Sequence, residues 1–318
     1  MKLERRIRGF AMKKIILILS IMIMCGLLIG MYVYEKQENI SFSYSSEIDD
    51  NQQSTVNELE VSEPEPLQPV NYNTVDYSLQ NDALHISYNK GEDWVKVPIE
   101  KEALFSGEYN GNRQELIDGS YVLSEKLAAF LYSEEDRIIL KYSTDQGETW
   151  QESVITEPFP PIRFRKVDFI NEQFGYVIIS GDRTMSQEYS AVFLTYDGGK
   201  SWGQTSDSGN TRLISDGGFI NETTGFLSYG TINPEEPDYY VTEDGGNTWS
   251  QAVFHIPDKY DKIFVTAEIP TMEEEQLVVL VNQGPNGDYK GGKVKGKFAS
   301  EDNGKTWEFL TEVQPNEE

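Results

Sequence analysis

Hydrophobic and polar residues divide the chain into three regions of different character. Residues 15–34 form an uncharged, mostly apolar run, residues 35–71 are polar and acidic, and from residue 72 onward short apolar runs alternate with Gly, Asn, Asp and Pro. A helix rising about 1.5 Å per residue over the first run crosses the roughly 30 Å hydrocarbon core of a bilayer. The pattern therefore predicts one transmembrane helix, a linker and a β-rich domain.

Charge on the two sides of the apolar run predicts how the helix is oriented. Six of the seven charged residues before it are basic, whereas Glu35, Glu38 and many further acids follow it. The positive-inside rule places residues 1–14 in the cytoplasm and residues 35–318 outside. A cleaved signal peptide fits less well, because the run is longer than a typical signal core and no small-x-small site follows it. We expect a single-pass protein of the cell membrane with an extracellular C-terminal domain.

Two residues leave alternatives open at this end. Cys25, the only cysteine, lies inside the apolar run, and Met24 occupies the position where a lipoprotein signal requires a small residue, so lipidation is the less favoured alternative. Met12, followed by two lysines, is an alternative start to Met1. The outer domain then has no disulfide, which is common among exported proteins of Gram-positive bacteria.

Residues 35–71 are predicted to be a disordered stalk. They contain many acids, Ser, Asn and Gln, with prolines at Pro64, Pro66 and Pro69. Such a composition does not bury enough apolar surface to offset the entropy of ordering. The stalk would hold residues 72–318 away from the membrane.

One eight-residue pattern, [ST]-x-D-x-G-x-[ST]-W, recurs through residues 72–318 and ends at each of the five tryptophans. Four copies match outright, and the first is degenerate. The intervals between tryptophans are 56, 52, 47 and 58 residues, and a period of this size indicates a propeller or solenoid. The third position and the closing tryptophan of each copy are Asn89 and Trp94, Asp145 and Trp150, Asp197 and Trp202, Asp244 and Trp249, and Asp302 and Trp307.

Strand-like runs around each copy predict four strands per unit. In the third unit they are 167–170, 175–180, 191–195 and a strand begun by Trp202, and in the fourth they are 218–220, 225–229, 239–242 and 249–254. A short motif, Phe-Ile-Asn-Glu followed three residues later by Gly, occurs at 169–175 and again at 219–225, an offset of 50 residues. Four strands per unit are typical of propeller blades. We predict an all-β propeller of about five four-stranded blades, with six as the alternative.

The first unit is incomplete. Strands are predicted near 73–78, 83–87 and 94–99, without an innermost strand, and residues 100–119 are predicted to be an insertion that is partly helical at 102–105.

Each residue type in the repeated pattern has a structural role in a tight turn between a blade's third and fourth strands. The first Ser or Thr bonds nearby backbone, the Asp accepts N–H groups, and the Gly supplies a positive φ. The Trp buries its ring against the blade. Since one copy falls in every blade, the five polar side chains do not converge, and we predict no catalytic residue and no metal among them.

The copies resemble the Asp-box, or bacterial neuraminidase repeat, of the sialidase-like propellers. The resemblance covers about residues 72–318 and implies the propeller fold. It does not imply one function, because the box occurs in sialidases, sortilin-type receptors, photosystem II assembly factors and cellulose-related propellers.

Sialidase activity has a residue requirement that can be tested. The resemblance implies three convergent arginines for the substrate carboxylate, the first in an Arg-Ile-Pro motif ahead of the first box, with a Tyr nucleophile, its Glu partner and an Asp acid-base. This chain has no arginine between Arg8 and Arg113, and its nearest approximation follows the second box as Ile162, Arg163 and Phe164. Sialidase-type glycoside hydrolysis is therefore the alternative function.

Ligand-binding residues are expected on the face opposite the boxes, in the connections between second and third strands and between blades. Single arginines from several units could form an anion site there, and tyrosines could stack on sugars or dock a protein; ion pairs with the abundant acids are the simpler interpretation of the arginines. The candidates are Arg113, Arg137, Arg163, Arg183, Arg212, Glu188, Tyr189 and Tyr239.

Charge and composition limit the classes of partner and cofactor that the chain is expected to bind. The formal net charge of −26 argues against nucleic acid, which requires clustered Lys and Arg. His85 and His255 lie in different units with no cysteine nearby, which disfavours zinc, and no phosphate-binding loop or dinucleotide motif predicts a cofactor. We expect a membrane-anchored module that binds an envelope glycan or a protein, with assembly of membrane proteins as a further alternative and the oligomeric state left open.

Overall fold

The computed structural model describes residues 66–71, 73–230 and 233–314, which form five β-sheets and one short α-helix. The predicted transmembrane helix and nearly all of the predicted stalk lie outside these residues. None of the helices in the described ranges is long and apolar enough to span a membrane.

The first sheet has three strands, as the sequence predicts. Where an innermost strand would lie, the Val70 N–H donates to the Tyr77 carbonyl oxygen at 3.0 Å, so a short extended segment covers part of that edge. A helix, α1 (Lys101–Leu104), begins the insertion. The strands in spatial order are β1 (Asp76–Ser78), β2 (Ala83–Ser87) and β3 (Val95–Glu100).

The next three sheets each have four antiparallel strands in chain order, which confirms the predicted four-stranded unit. The second sheet contains β4 (Tyr121–Leu123), β5 (Ala128–Glu134), β6 (Arg137–Ser143) and β7 (Gln151–Thr156). The third contains β8 (Ile162–Phe169), β9 (Gly175–Thr184), β10 (Gln187–Thr195) and β11 (Gly203–Gln204). The fourth contains β12 (Leu213–Phe219), β13 (Gly225–Gly230), β14 (Asp238–Thr242) and β15 (Ser250–Gln251).

The fifth sheet has six strands and corrects one prediction. The strand predicted over 249–254 is divided: β15 pairs with β14, whereas β16 (Val253–His255) pairs in parallel with β21 (Thr306–Val313) of the fifth sheet. The Val253 N–H donates to the Lys305 carbonyl at 2.8 Å, and Phe254 stacks on Trp307 with ring centroids 5.8 Å apart. The strands are β16 (Val253–His255), β17 (Phe264–Ala267), β18 (Thr271–Glu273), β19 (Gln276–Gln283), β20 (Lys295–Ser300) and β21 (Thr306–Val313).

Buried side chains form four hydrophobic clusters, each between two consecutive sheets. Alternate residues of β9 show how a strand serves both of its neighbours: Val177 and Ile179 belong to the cluster with the second sheet, and Tyr176 and Ile178 to the cluster with the fourth. Because side chains alternate between the two faces of a strand, a central strand of this kind is apolar throughout.

The motif repeated at 169–175 and 219–225 also has a structural role. Asn171 accepts the N–H groups of Gln173 and Phe174 at 2.8 Å and so closes the turn between β8 and β9. The Phe169 ring lies over Gly175, where a Cβ would come within 2.6 Å of it. The same packing recurs at Phe219 and Gly225, which explains why this residue pair repeats.

The insertion after α1 packs on β8. The Glu108 N–H donates to the Ile162 carbonyl at 2.9 Å, and the Arg165 guanidinium, which is buried, donates to the carbonyls of Leu104 and Ser106. Gly107 has φ +96°, and a Cβ there would overlap the Ile162 carbonyl oxygen. The insertion is therefore held against the third sheet and brings Glu108 beside its loops.

Candidate functional site

Four of the five repeated turns share one hydrogen-bond pattern, seen clearly between β10 and β11. The Thr195 hydroxyl accepts the Gly199 N–H at 2.9 Å and donates to Asp197 at 2.8 Å. Asp197 in turn accepts the Ser201 N–H at 3.0 Å and the Ser201 hydroxyl at 2.6 Å. Both oxygens of the carboxylate are thus used within the turn, and the bonds from Ser201 lower the pKa of Asp197 to about 2.

The sequence pattern missed one property of these turns. The residue between the Asp or Asn and the Gly also has a positive φ in every copy, so two consecutive residues adopt the left-handed conformation. Gly and Asn adopt this conformation at lowest cost. The residues at this position are Lys90, Gln146, Gly198, Gly245 and Asn303, of which three are Gly or Asn.

The closing tryptophans pack between sheets, and two of them find hydrogen-bond acceptors. Trp202 donates to Ser153 at 3.1 Å and Trp249 to the Ser206 carbonyl at 3.1 Å. The buried indole N–H groups of Trp150 and Trp307 have no partner among the described residues. Within those residues no group of three or more His, Cys, Asp and Glu side chains is placed to hold a metal ion.

Four of the five candidate arginines form ion pairs with nearby carboxylates. Arg137 pairs with Glu134 at 2.6 Å, Arg183 with Glu108 at 3.4 Å, and Arg212 with Asp238 at 3.0 Å. Arg163 pairs with Glu188, and Arg113 makes no salt bridge or hydrogen bond to a described residue. The paired guanidiniums are already partly neutralised, so they do not form an open ring of cations.

Arg163 and Glu188 are the centre of a buried network. The Glu188 side chain has no exposed surface, and it accepts two bonds from Arg163 and one from the Ile214 N–H at 2.6 Å. Arg163 also donates to the Ile214 carbonyl at 2.6 Å. This network ties the β9–β10 hairpin to the first strands of the third and fourth sheets.

The two candidate tyrosines have different environments. Tyr189 is 42% exposed, accepts a bond from Gln204 at 2.8 Å and lies 5.9 Å from the Phe159 ring. Tyr239 is fully buried, and its hydroxyl donates to the Glu268 carbonyl at 2.9 Å. Tyr239 therefore lies in the core, because neighbouring sheets pack on both faces of its strand.

The β9–β10 hairpin carries a feature that the sequence did not single out. Met185, at its turn, is 91% exposed. The hairpin is held on one side by the Arg183–Glu108 pair and on the other by the Glu188 N–H, which donates to the Thr211 carbonyl at 2.8 Å. A large apolar side chain is thus presented to solvent on a well-supported hairpin. Its position in a connection predicted to lie opposite the repeated turns was the only available signal.

Comparison with protein families identifies a match over most of the chain. The model of a family described as DUF6242 beta propeller domain matches residues 29–282. No curated protein matches the chain at a significant level.

Solved structures with similar folds share little sequence with this chain. A protein of unknown function from Dyadobacter fermentans is 13% identical, with a TM-score of 0.41 over 60% of this chain and 67% of that one. A GH74 xyloglucanase from Xanthomonas campestris is 15% identical (TM-score 0.38; 72% and 34% covered). A Trypanosoma rangeli sialidase mutant displaying trans-sialidase activity is 11% identical (TM-score 0.37; 80% and 48% covered). The chain thus spans about a third of the xyloglucanase and half of the sialidase.

Proposed function

The chain belongs to the DUF6242 beta propeller domain family, and we propose that within this fold it is a membrane-anchored, extracellular module that binds a protein without catalysing a reaction. Its repeated turns are proposed to be Asp-boxes. In support, each uses its Asp or Asn for hydrogen bonds within the turn, as the bonds of Asp145 and Asp244 illustrate. The turns then serve the fold, and the protein partner is proposed to bind at the opposite face.

Sequence supports the membrane anchor. Residues 15–34 carry no charge, and the basic residues precede them while the acids follow. Under the positive-inside rule the propeller is on the extracellular side, where residues 35–71 would space it from the bilayer. A Gram-positive cell envelope is the proposed setting, with an envelope protein as the partner.

The observation that carries the protein-binding proposal is the exposure of Met185 on the supported β9–β10 hairpin. Exposed apolar side chains on preorganised elements act as anchors in protein interfaces, because little ordering entropy is lost on binding. Tyr189 adds a second partly exposed apolar surface on the same hairpin. Such an anchor fits a partner with an apolar pocket.

Charge near the hairpin favours a partner whose pocket has a basic rim. Asp182 on the hairpin and Asp207 in the following connection are exposed, in a chain with a net charge of −26. Complementary charge raises the rate of association and selects partners.

The sialidase alternative has less support, because Arg163, Arg183 and Arg212 are each paired with a carboxylate.

Site-specific photocrosslinking of the full chain in the cells that make it tests this proposal. A benzophenone amino acid at Met185 should form an adduct with one discrete protein, whereas the same group at Met272, which is 59% exposed on the side of the repeated turns, should not. An adduct with a membrane protein under assembly would identify the assembly-factor alternative.

A charge variant sharpens the test. Asp182 has φ +54°, a conformation that Asn tolerates, so Asp182→Asn removes the charge without new backbone strain. The adduct yield at Met185 should fall several-fold in this variant. Equal adducts from positions 185 and 272, no discrete protein adduct, or an adduct removed by glycosidases would contradict the proposal.

A further inference from the structure

A second surface of the propeller, remote from Met185, has the features of a small-molecule site. A cleft of about 680 Å³ opens between the second and third sheets, on the side of the repeated turns. It is lined by the β4–β5 and β6–β7 connections of one sheet and the β8–β9 and β10–β11 connections of the other. Its volume lies within the range of roughly 300–1,000 Å³ found for ligand pockets.

The inner part of the cleft is apolar. Val122, Leu127 and Phe169 are only partly buried and pack against the core between the second and third sheets. The Phe169 ring is fixed by its contact with Gly175 and by an edge-on contact with Trp202 at 6.1 Å. A rigid aromatic and aliphatic surface is therefore available to a ligand.

The rim supplies amide and hydroxyl groups. Asn171 uses its oxygen to close its turn, which leaves its NH₂ group without a hydrogen bond to any described residue. The Gln173 side chain and the Thr144 hydroxyl are likewise unbonded in the described structure, and all three residues are exposed. These groups are donors and acceptors without charge.

Charges around the cleft balance, unlike those of the whole chain. Asp197 is saturated by the hydrogen bonds of its turn, and Lys126 pairs with Glu172 at 3.1 Å across the rim. Lys200 is the remaining cation, so the formal charge of these four groups is zero, against −26 for the chain. Neither an anion nor a cation is favoured by such a lining.

We propose that this cleft binds a short neutral oligosaccharide. A sugar ring offers an apolar C–H face to Phe169 and Leu127, and its hydroxyls match the side-chain amides of Asn171 and Gln173. A peptide fits less well, because the lining consists of turns and offers no free strand edge for pairing. The site is separate from the hairpin proposed to bind a protein, so either assignment can fail without the other.

Saccharide titration of the full chain in a detergent without a sugar headgroup tests the assignment. The probes are chitotetraose, cellotetraose and maltotetraose, with sialyllactose as the anionic comparison, followed by calorimetry and saturation-transfer NMR. At least one neutral probe should bind with a dissociation constant of about 10 μM to 1 mM. Sialyllactose should bind at least tenfold more weakly.

Two variants locate the site. Gln173→Ala removes an exposed amide and should weaken binding about tenfold, whereas Thr223→Ala, at the equivalent position of the β12–β13 connection, should leave it unchanged. Absence of binding by all three neutral probes at about 10 mM would overturn the proposal. So would sialyllactose binding as tightly as the neutral probe, or unchanged affinity in Gln173→Ala.

Discussion

Asn89 donates from Nδ2 to Asp93 Oδ2 at 2.9 Å, the reverse of the bond in the other four turns. In those, the hydroxyl four residues after the aspartate donates to the carboxylate, as Thr149 does to Asp145 at 2.5 Å. The first copy therefore exchanges donor and acceptor and keeps the connection. The first turn therefore keeps this side-chain hydrogen bond although two of its residues differ from the pattern.

This reversal predicts a non-additive pair of substitutions. Asn89→Asp alone should place two carboxylates in contact and reduce the free energy of unfolding by about 1 kcal/mol. Asn89→Asp with Asp93→Thr recreates the common turn and should recover most of that loss. Urea unfolding of the two single variants and the double variant measures the coupling; additive effects would mean that the two side chains do not interact.

Acid should destabilise the repeated turns. Hydrogen bonds from the residue four positions later lower the pKa of Asp145, Asp197 and Asp244, with Asp197 at about 2. Because the folded-state pKa is below the unfolded value of about 3.9, this stabilisation is present above pH 4 and is lost as the pH falls toward 2. Asp197→Asn, which lacks the titrating group, should lose less stability between pH 5 and pH 2.5 than the wild type. Urea midpoints across that range decide the matter, and equal losses would exclude Asp197 as a contributor.

Adjacent glycines in one turn should respond differently to substitution. Gly246 has φ +79°, and a Cβ there would lie 2.5 Å from Thr205, so Gly246→Ala should cost about 1–3 kcal/mol. Gly245 occupies the position filled by Asn303 in the last copy, and a Cβ there would lie 3.2 Å from the Glu222 carbonyl oxygen, so Gly245→Asn should cost less than about 1 kcal/mol. Thermal unfolding compares the two, and a larger loss in Gly245→Asn would contradict the packing described.

Buried and exposed ion pairs should contribute differently to the free energy of unfolding. Glu188→Ala leaves Arg163 without its buried partner and should cost about 3–5 kcal/mol. Glu134→Ala removes an exposed pair with Arg137 and should cost less than about 1 kcal/mol. Denaturant unfolding of both variants makes the comparison. Equal small losses would mean that the Arg163–Glu188 network contributes little to linking the third and fourth sheets.

Local turn chemistry made most of the fold predictable. The strand at 83–87 was predicted because Asn81 and Asp82 precede it and Gly91 follows it. The start of β8 was missed by five residues, since Arg163, Arg165 and Lys166 interrupt its apolar pattern. Those basic residues serve contacts with Glu188, the insertion and Asp216, which come from distant parts of the chain.

The candidate site was less predictable for the same reason. Arg163 and Glu188 are 25 residues apart, and Arg183 and Glu108 are further separated, so no local pattern pairs them. The sequence places Tyr239 beside the 233–239 connection, but its burial depends on neighbouring sheets that pack on both faces of its strand. Met185 lies in a turn, where sequence alone does not distinguish a buried methionine from an exposed one.

The path of β16 has a consequence for how the protein unfolds. An array in which each unit touches only its neighbours can lose its last unit first. Here the chain leaving the fourth sheet is paired along β21, so β21 cannot detach without freeing Val253 to His255. Opening of the fifth sheet should therefore be coupled to the fourth, and amide protons in β14 and β21 should exchange with solvent in a single cooperative step.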